Sequence, residues 1–340
     1  MRLLVTGGLG FIGSNCILDL LALDHEILNI DKSQDHFFLD FELKKDLKSQ
    51  YSFLNVDITD FDLVNQTIKE FKPDAVLHFA AESHVDNSIE NPAVFIETNI
   101  KGTFNLLESS LKNIDNNNFL FLHVSTDEVF GDLNKNDPPF IENNRYIPNS
   151  PYSASKAASD HLVRSYSKTY GLKTVVTNCS NNFGPNQHPE KLIPQAIMRL
   201  SNNFKIPVYG SGLQIRDWLY VKDHCTALIN ILLNFKRSHD TYNIGSRNEL
   251  TNLAILEKII NFYYEDEVDI NDYIEVVEDR KGHDKRYSIN PSKIESDFSW
   301  KPKHEFDDAL AQTVNWYKEN TWILERNSNL LSKIHTGKIT

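Results

Sequence analysis

Thr6-Gly7-Gly8-Leu9-Gly10-Phe11-Ile12-Gly13 lies between the apolar run Leu3-Leu4-Val5 and an apolar-periodic stretch running from Phe11 to about Leu23. Glu26-Ile27-Leu28-Asn29-Ile30 follows as a second apolar run and ends in Asp31. Strand, glycine turn, helix, strand and acid in this order describe a βαβ unit built to hold a dinucleotide. Gly7, Gly10 and Gly13 divide the work: a tight turn, backbone approach to a pyrophosphate, and close helix–strand packing. The start of the helix, at Phe11 and Ile12, offers N–H groups and a positive dipole end to phosphate. Asp31 stands where a carboxylate accepts hydrogen bonds from a ribose diol, and its charge repels a 2′-phosphate. The cofactor expected is NAD, not NADP.

The alternation continues outward from this unit. Strands are predicted at Tyr51–Val56, Ala75–Phe79, Phe119–Val124 and Lys173–Thr177, and helices at Phe61–Phe71, Pro92–Leu111 and Pro151–Tyr170. Strands that alternate with helices give an α/β fold with a doubly wound parallel sheet. After about Asn181 the pattern loosens, with glycines and prolines at Gly184-Pro185 and Gly210-Ser211-Gly212. Helices are predicted at Leu192–Leu200, Asp223–Phe235, Leu253–Tyr264, Pro291–Phe298 and Asp307–Glu325, with one more buried strand at Thr241–Ile244. The expected organisation is a dinucleotide-binding domain at 1–180, a smaller C-terminal substrate lobe at 181–325 and a mobile tail at 326–340. The chain is expected to return to the main sheet around 215–246.

Composition narrows the function. With 35 Lys and Arg against 47 Asp and Glu, the formal charge of −12 argues against nucleic acid and against an anionic membrane as partner. The three cysteines, Cys16, Cys179 and Cys225, are widely spaced and match no metal-ligand pattern, so reduced thiols in a cytoplasmic protein are expected and no metal. The opening residues predict no signal peptide, and no apolar run is long enough to span a bilayer.

Ser125-Thr126-Asp127-Glu128-Val129-Phe130-Gly131 leaves the carboxyl end of a buried strand, where open α/β sheets bind their ligands. A hydroxyl and two adjacent carboxylates at such a place are candidates for chemistry. Asp127 and Glu128 on extended backbone would diverge into different environments and take opposite protonation states. Elimination of water needs that pair, a base for a carbon-bound proton and an acid for the departing hydroxyl. Downstream, Tyr152-x-x-x-Lys156 puts a phenol and an ammonium one helical turn apart. The ammonium is expected to lower the phenol pKa, making Tyr152 a base.

With these residues in view, the chain resembles the nucleotide-sugar 4,6-dehydratases of the extended short-chain dehydrogenase/reductase superfamily, which share a Rossmann-type sheet. The matching stretches include Thr6–Gly13, Ala80–Asp86, Ser125–Gly131, Tyr152–Lys156, Asn178–Pro185, Pro189–Pro194, Gln214–Val221 and Asp279–Asp284. The resemblance implies a redox-neutral dehydration of dTDP-glucose with tightly held, regenerated NAD, in deoxysugar (for example rhamnose) biosynthesis. It implies Thr126, Asp127, Glu128, Tyr152 and Lys156 as the catalytic set. Cofactor contacts are implied for Phe11, Ile12, Asp31, Lys32, Asp57, Ile58, Ala80, Ala81, Thr98, Tyr152, Lys156 and Asn182. Contacts to the sugar nucleotide are implied for Ser83, Thr126, Asn181, Lys191, Leu192, Val208, Tyr209, Arg216, Asn243, Arg280 and His283. Lys191, Arg216 and Arg280 would supply positive charge for a diphosphate. The family also pairs helices equivalent to Pro92–Leu111 and Pro151–Tyr170 across a two-fold axis, which implies a homodimer.

Two departures stand out. Lys32-Ser33-Gln34-Asp35-His36-Phe37-Phe38 replaces the family's usual run along the adenosine, and Asn186-Gln187-His188 is similar to relatives that use other nucleotides. Asp279–Asp284 resembles the dTDP-sugar enzymes, with Lys281 where Pro is usual. The alternatives are a UDP- or other NDP-sugar 4,6-dehydratase, a nucleotide-sugar 4-epimerase and a UDP-glucuronate decarboxylase. The last two use the same cofactor and Tyr–Lys pair but need no acid and base after the threonine.

Overall fold

The computed structural model describes residues 1–33, 35, 37–43, 47–116, 118–279 and 283–334. Arg280, with Lys281, Gly282, Gln34 and His36, lies outside the described residues. The strands in chain order are β1 (Arg2–Thr6), β2 (Glu26–Asp31), β3 (Tyr51–Asn55), β4 (Ala75–His78), β5 (Leu120–Thr126), β6 (Thr174–Cys179), β7 (Asn181–Phe183), β8 (Ile206–Tyr209), β9 (Ile215–Tyr220), β10 (His239–Ile244), β11 (Glu249–Thr251) and β12 (Ile274–Val277). Seven of them form one parallel sheet in the order β10-β6-β5-β4-β1-β2-β3. Strand order reverses between β1 and β4, so a crevice opens there beyond the carboxyl ends of the strands.

Alternating residues send the two faces of the sheet into separate cores. From β1, Leu3 and Val5 pack with Ile17 and Leu20 of helix Phe11–Leu21, while Leu4 packs with Val64, Ile68, Phe121 and Val163 on the other side. Burial on both faces explains why β4 and β5 read as nearly continuous apolar runs. Helices Phe61–Phe71 and Pro151–Tyr170 start and stop where their caps predict. Asp60 accepts from Leu63 N, and Ser150 and Ser153 form a reciprocal capping box ahead of Pro151.

Three expected elements differ. The helix read over Pro92–Leu111 is three segments: Pro92–Phe95, a π-helical stretch Ile96–Gly102, and Thr103–Asn113. The side chain of Asn99 explains the bulge. It pins Glu82 through both its backbone groups (2.9 and 3.0 Å) and donates to Ser155 Oγ at 2.8 Å. The helix read over Asp307–Glu325 breaks at Asn320 into Phe306–Glu319 and Trp322–Arg326. Within the 215–246 stretch, only β10 joins the main sheet. Ile215–Tyr220 instead forms a small second sheet with β7 and β11, and β8 pairs with β12 in a third. In the tail, Asn329–Ile334 is helical and Arg326 pairs with Asp35 at 3.0 Å. No helix of the described residues is long and apolar enough to cross a membrane.

Candidate active site

The glycine turn is held from below. Gly7 N donates to Ile30 O (2.9 Å), Gly8 N to Asn29 Oδ1 (3.0 Å), and Gly10 N to Gly7 O (3.1 Å). Gly7 has φ +70°, and a Cβ there would sit 2.5 Å from Ala80 N, so only glycine fits. Gly10 precedes helix Phe11–Leu21 without capping it by a side chain, so the first N–H groups of the helix face the crevice free for an anion. Asp31 accepts from Leu9 N at 3.1 Å and from Ser33 N at 3.0 Å. Burial pushes its carboxyl up, and these backbone donors together with Lys32 resist that rise. This donor set, a glycine cradle, an open helix start and a fixed carboxylate, fits a dinucleotide.

The crevice is a cavity of about 480 Å³. Its wall brings together every residue implied for the cofactor and every one implied for catalysis, with Ser83, Asn181 and Lys191 from the substrate set. Sequence reading missed other parts of this wall. Ser125, Cys179 and Ser180 end β5 and β6, and Gln187, His188 and Glu190 come from the loop before helix Leu192–Ser201.

Leu192, Val208, Tyr209, Arg216, Asn243 and His283 are not on that wall. Arg216 lies over the Tyr287 ring at 4.4 Å and donates to Asp284 O (3.0 Å) and Ile215 O (2.8 Å). It still acts on the site, because its charge lowers the pKa of Asp127. His283 meets Asp279 (2.6 Å) and Gln214 (3.1 Å) beside β9. Val208 lines a separate lobe pocket with Leu253 and Ile274. Asn243 is fully buried, and its amide is spent on Phe140 O at 3.0 Å while its N–H donates to Glu142. That side chain braces the 140–142 segment and does not reach the crevice.

Thr126 ends β5 and caps a 3₁₀ turn, Asp127–Phe130, by accepting from Glu128 N at 3.3 Å. The backbone here is therefore a turn and not extended. Successive side chains on such a turn still point a third of a revolution apart. Asp127 is 3% exposed, whereas Glu128 is half-buried at the cavity wall. Burial pushes Asp127 well above the ordinary carboxylate range, and the charges of Glu128 and Asp217 push it further. Its Oδ1 accepts from Thr126 Oγ1 at 3.4 Å, and its buried Oδ2 has no partner among the described residues.

Tyr152 and Lys156 both face the crevice from helix Pro151–Tyr170. The expected lowering of the phenol pKa is not found. Burial raises it well above its ordinary value, with Glu128 and Cys179 adding to the rise and the Thr126 hydroxyl opposing it. The ammonium is engaged elsewhere. Lys156 Nζ donates to Val124 O at 2.8 Å and approaches His123 Nε2 at 3.5 Å, and His123 in turn meets Asp160 at 3.2 Å. Burial brings Lys156 down to about 8 against the upward pull of Asp160, and lifts Asp160 to about 6. Ser125 Oγ donates to Asp160 at 2.9 Å, and Asn178 at 3.4 Å. This buried layer beneath the Tyr–Lys pair was also missed; its signal was a histidine inside an apolar strand and an acid four residues after Lys156. Among the described residues no group of three or more His, Cys, Asp or Glu could hold a metal.

Comparison with known proteins agrees with this geometry. The family model for GDP-mannose 4,6 dehydratase matches residues 4–313. The dTDP-glucose 4,6-dehydratase of Salmonella typhimurium is 45% identical over 344 residues, covering 95% of this chain and 94% of that protein. Among solved structures, the dTDP-glucose 4,6-dehydratase DesIV of Streptomyces venezuelae, with NAD bound, gives a TM-score of 0.86 at 40% identity, covering 95% of this chain and 98% of its own. The Bacillus anthracis enzyme in complex with NAD gives 0.83 at 40% identity with the same coverage.

Proposed function

This chain belongs to the dTDP-glucose 4,6-dehydratases of the GDP-mannose 4,6 dehydratase family, and on that premise we propose how its residues divide the work. The enzyme is an NAD-dependent hydro-lyase that converts dTDP-glucose to the 4-keto-6-deoxy sugar nucleotide. NAD held in the crevice would supply the hydride acceptor for C4 of the sugar and, once reduced, the hydride donor for C6. The glycine turn, Phe11, Ile12, Asp31, Lys32, Asp57, Ile58, Ala80, Ala81, Thr98 and Asn182 hold that cofactor, and Lys156 orients it.

Tyr152 accepts the O4 proton while Thr126 hydrogen-bonds O4. The ketone formed at C4 acidifies C5, Glu128 removes the C5 proton, and Asp127 protonates the departing 6-hydroxyl. Glu128 then returns its proton to C5. One observation carries this reading: Asp127 is buried, that burial pushes its carboxyl well above the ordinary range, and its Oδ2 has no partner among the described residues. An epimerase or a decarboxylase has no use for such an acid. Asp127→Asn should still oxidise C4 and accumulate enzyme-bound NADH without ketosugar product, losing about 10²–10⁴-fold in turnover. Turnover of dTDP-glucose by that variant at the native rate, read from the alkali-induced absorbance of the ketosugar, would refute the assignment.

The same reading divides the chain into a cofactor domain at 1–180 and a sugar-nucleotide lobe at 181–325, with β10 rejoining the main sheet. Leu192, Val208, Tyr209, Arg216, Arg280 and His283 would serve the nucleotide end of the substrate. The protein works as a cytoplasmic homodimer. Exposed apolar side chains at Ile89, Val94, Ile96 and Phe104, along Val85–Glu90 and the segmented 92–113 helix, support pairing there. Sedimentation as a monomer at micromolar concentration would rule this out.

A further inference from the structure

Counting protons through the proposed reaction leaves a debt that the chemistry must settle. Glu128 gives back what it takes. Tyr152, however, ends the cycle holding the O4 proton, and Asp127 ends it as a carboxylate, its proton gone into the released water. Before the next sugar can react, one proton must leave Tyr152 and one must reach Asp127.

One hydroxyl neighbours both groups. Tyr152 and Thr126 line the same crevice, where the Thr126 hydroxyl opposes the rise in the phenol's pKa, and Thr126 Oγ1 donates to Asp127 Oδ1 at 3.4 Å. Tyr152, Thr126 and Asp127 are only 8, 7 and 3% exposed, which disfavours separate exchange of each group with bulk water. The second carboxylate oxygen, Oδ2, is buried with no partner among the described residues, which leaves it for the departing hydroxyl.

We propose that Thr126 is an internal proton relay that resets the enzyme by returning the O4 proton from Tyr152 to Asp127. This deepens, and rests on, the dehydratase reading given above. In the transfer the phenol O–H bond breaks as its proton bonds to Thr126 Oγ1. The hydroxyl proton of Thr126 bonds to Asp127 Oδ1 at the same time. Threonine finishes neutral, tyrosine as phenolate and aspartate as acid, so no electron moves and no co-reactant is needed. A half-turn of the carboxyl about Cβ–Cγ then presents the proton at the place of Oδ2. The sugar O4 proton of one turnover thus leaves as part of the water of the next.

The direct test uses wild-type holoenzyme in weak buffer with a pH indicator, mixed rapidly with dTDP-glucose, after subtraction of the signal that dTDP alone gives. An internal relay predicts no proton released or taken up during the first turnover and the reset that follows it. Release of a proton from each site, followed by uptake, overturns the relay. Thr126→Val and Thr126→Ser supply the second measurement. The serine variant keeps the hydroxyl and should sustain repeated turnover. The valine variant loses the O4 hydrogen bond in every turnover, and its later turnovers should be slower than its first by a further factor of about 10²–10⁴, restored by imidazole or formate. Equal losses in first and later turnovers, with no response to either buffer, count against the relay and leave Thr126 serving O4 alone. A wild-type enzyme that made no ketosugar would remove the parent reading and the relay together, whereas productive turnover with a proton signal removes the relay only.

Discussion

Asp160→Asn should shift the pH dependence of the first oxidation step without touching the crevice. Asp160 does not line the cavity, and it reaches the catalytic pair only through His123 and Lys156. The 3.5 Å and 3.2 Å legs of that path place its carboxyl within ~7 Å of the Lys156 ammonium. At an effective dielectric of about 20, a unit charge at that distance stabilises the ammonium by about 2 kcal/mol, or on the order of 1.5 pH units. Lys156 already titrates at about 8 because burial opposes its charge. Asparagine keeps the size of the side chain and removes the charge, so the midpoint should fall toward neutrality. The sign follows from the base: below its pKa Lys156 is charged and able to fix the cofactor, and function is lost as pH rises through that value. Single-turnover formation of NADH, followed by its near-ultraviolet absorbance, should decline through pH ~8 in the wild type and roughly 1.5 units lower in the variant. Because Asp160 itself is lifted to about 6, it carries its charge across the wild-type transition. Superimposable profiles for the two proteins would show that Lys156 does not sense Asp160, and the argument would fail.

Gly13→Ala would place a Cβ 2.5 Å from Gly7 O and 2.9 Å from Gly8 Cα, both backbone atoms that cannot step aside. It should cost about 1–3 kcal/mol, read as a lower melting temperature of the NAD-free protein as well as poor NAD retention. Asp31→Ala removes a charged acceptor, and a loss of about 1.5–3 kcal/mol corresponds to about 10–100-fold weaker NAD binding by equilibrium dialysis; unchanged affinity would contradict the ribose role. His224, which meets Asn182 Oδ1 at 2.8 Å, is pushed down to about 3 by burial. Its stabilising contribution is therefore complete above pH ~6.5 and is lost as pH falls toward 3. Urea midpoints of His224→Gln should fall less steeply than those of the wild type across that window, and parallel curves would count against a neutral buried imidazole.

What the sequence made legible is what neighbours along the chain decide. The glycine turn and the apolar runs of β4 and β5 each carry their instruction within a few residues, and the main sheet follows from the alternation of strands and helices. The small sheets of the lobe carry no such instruction. Asn181–Phe183 and Glu249–Thr251 are three residues each, too short for a period to show, and each becomes a strand only because Ile215–Tyr220 lies beside it. The helix read over Pro92–Leu111 failed for a related reason. Its composition suits one helix, and the bulge is imposed by Asn99 reaching Glu82 and Ser155, partners 17 and 56 residues away. Tyr152 and Lys156 sharpen the point. A spacing of one helical turn does place both side chains on one face, and both do meet the crevice. It could not tell that β5 passes close enough to offer the Val124 carbonyl and His123 to the ammonium. The pKa of the phenol is consequently raised first by burial and then, across the strand end, by Glu128 and Cys179 against Thr126, with the ammonium of Lys156 turned to Val124 O. Whatever brings Tyr152 toward its basic form must therefore come from that strand end or from the bound cofactor and sugar.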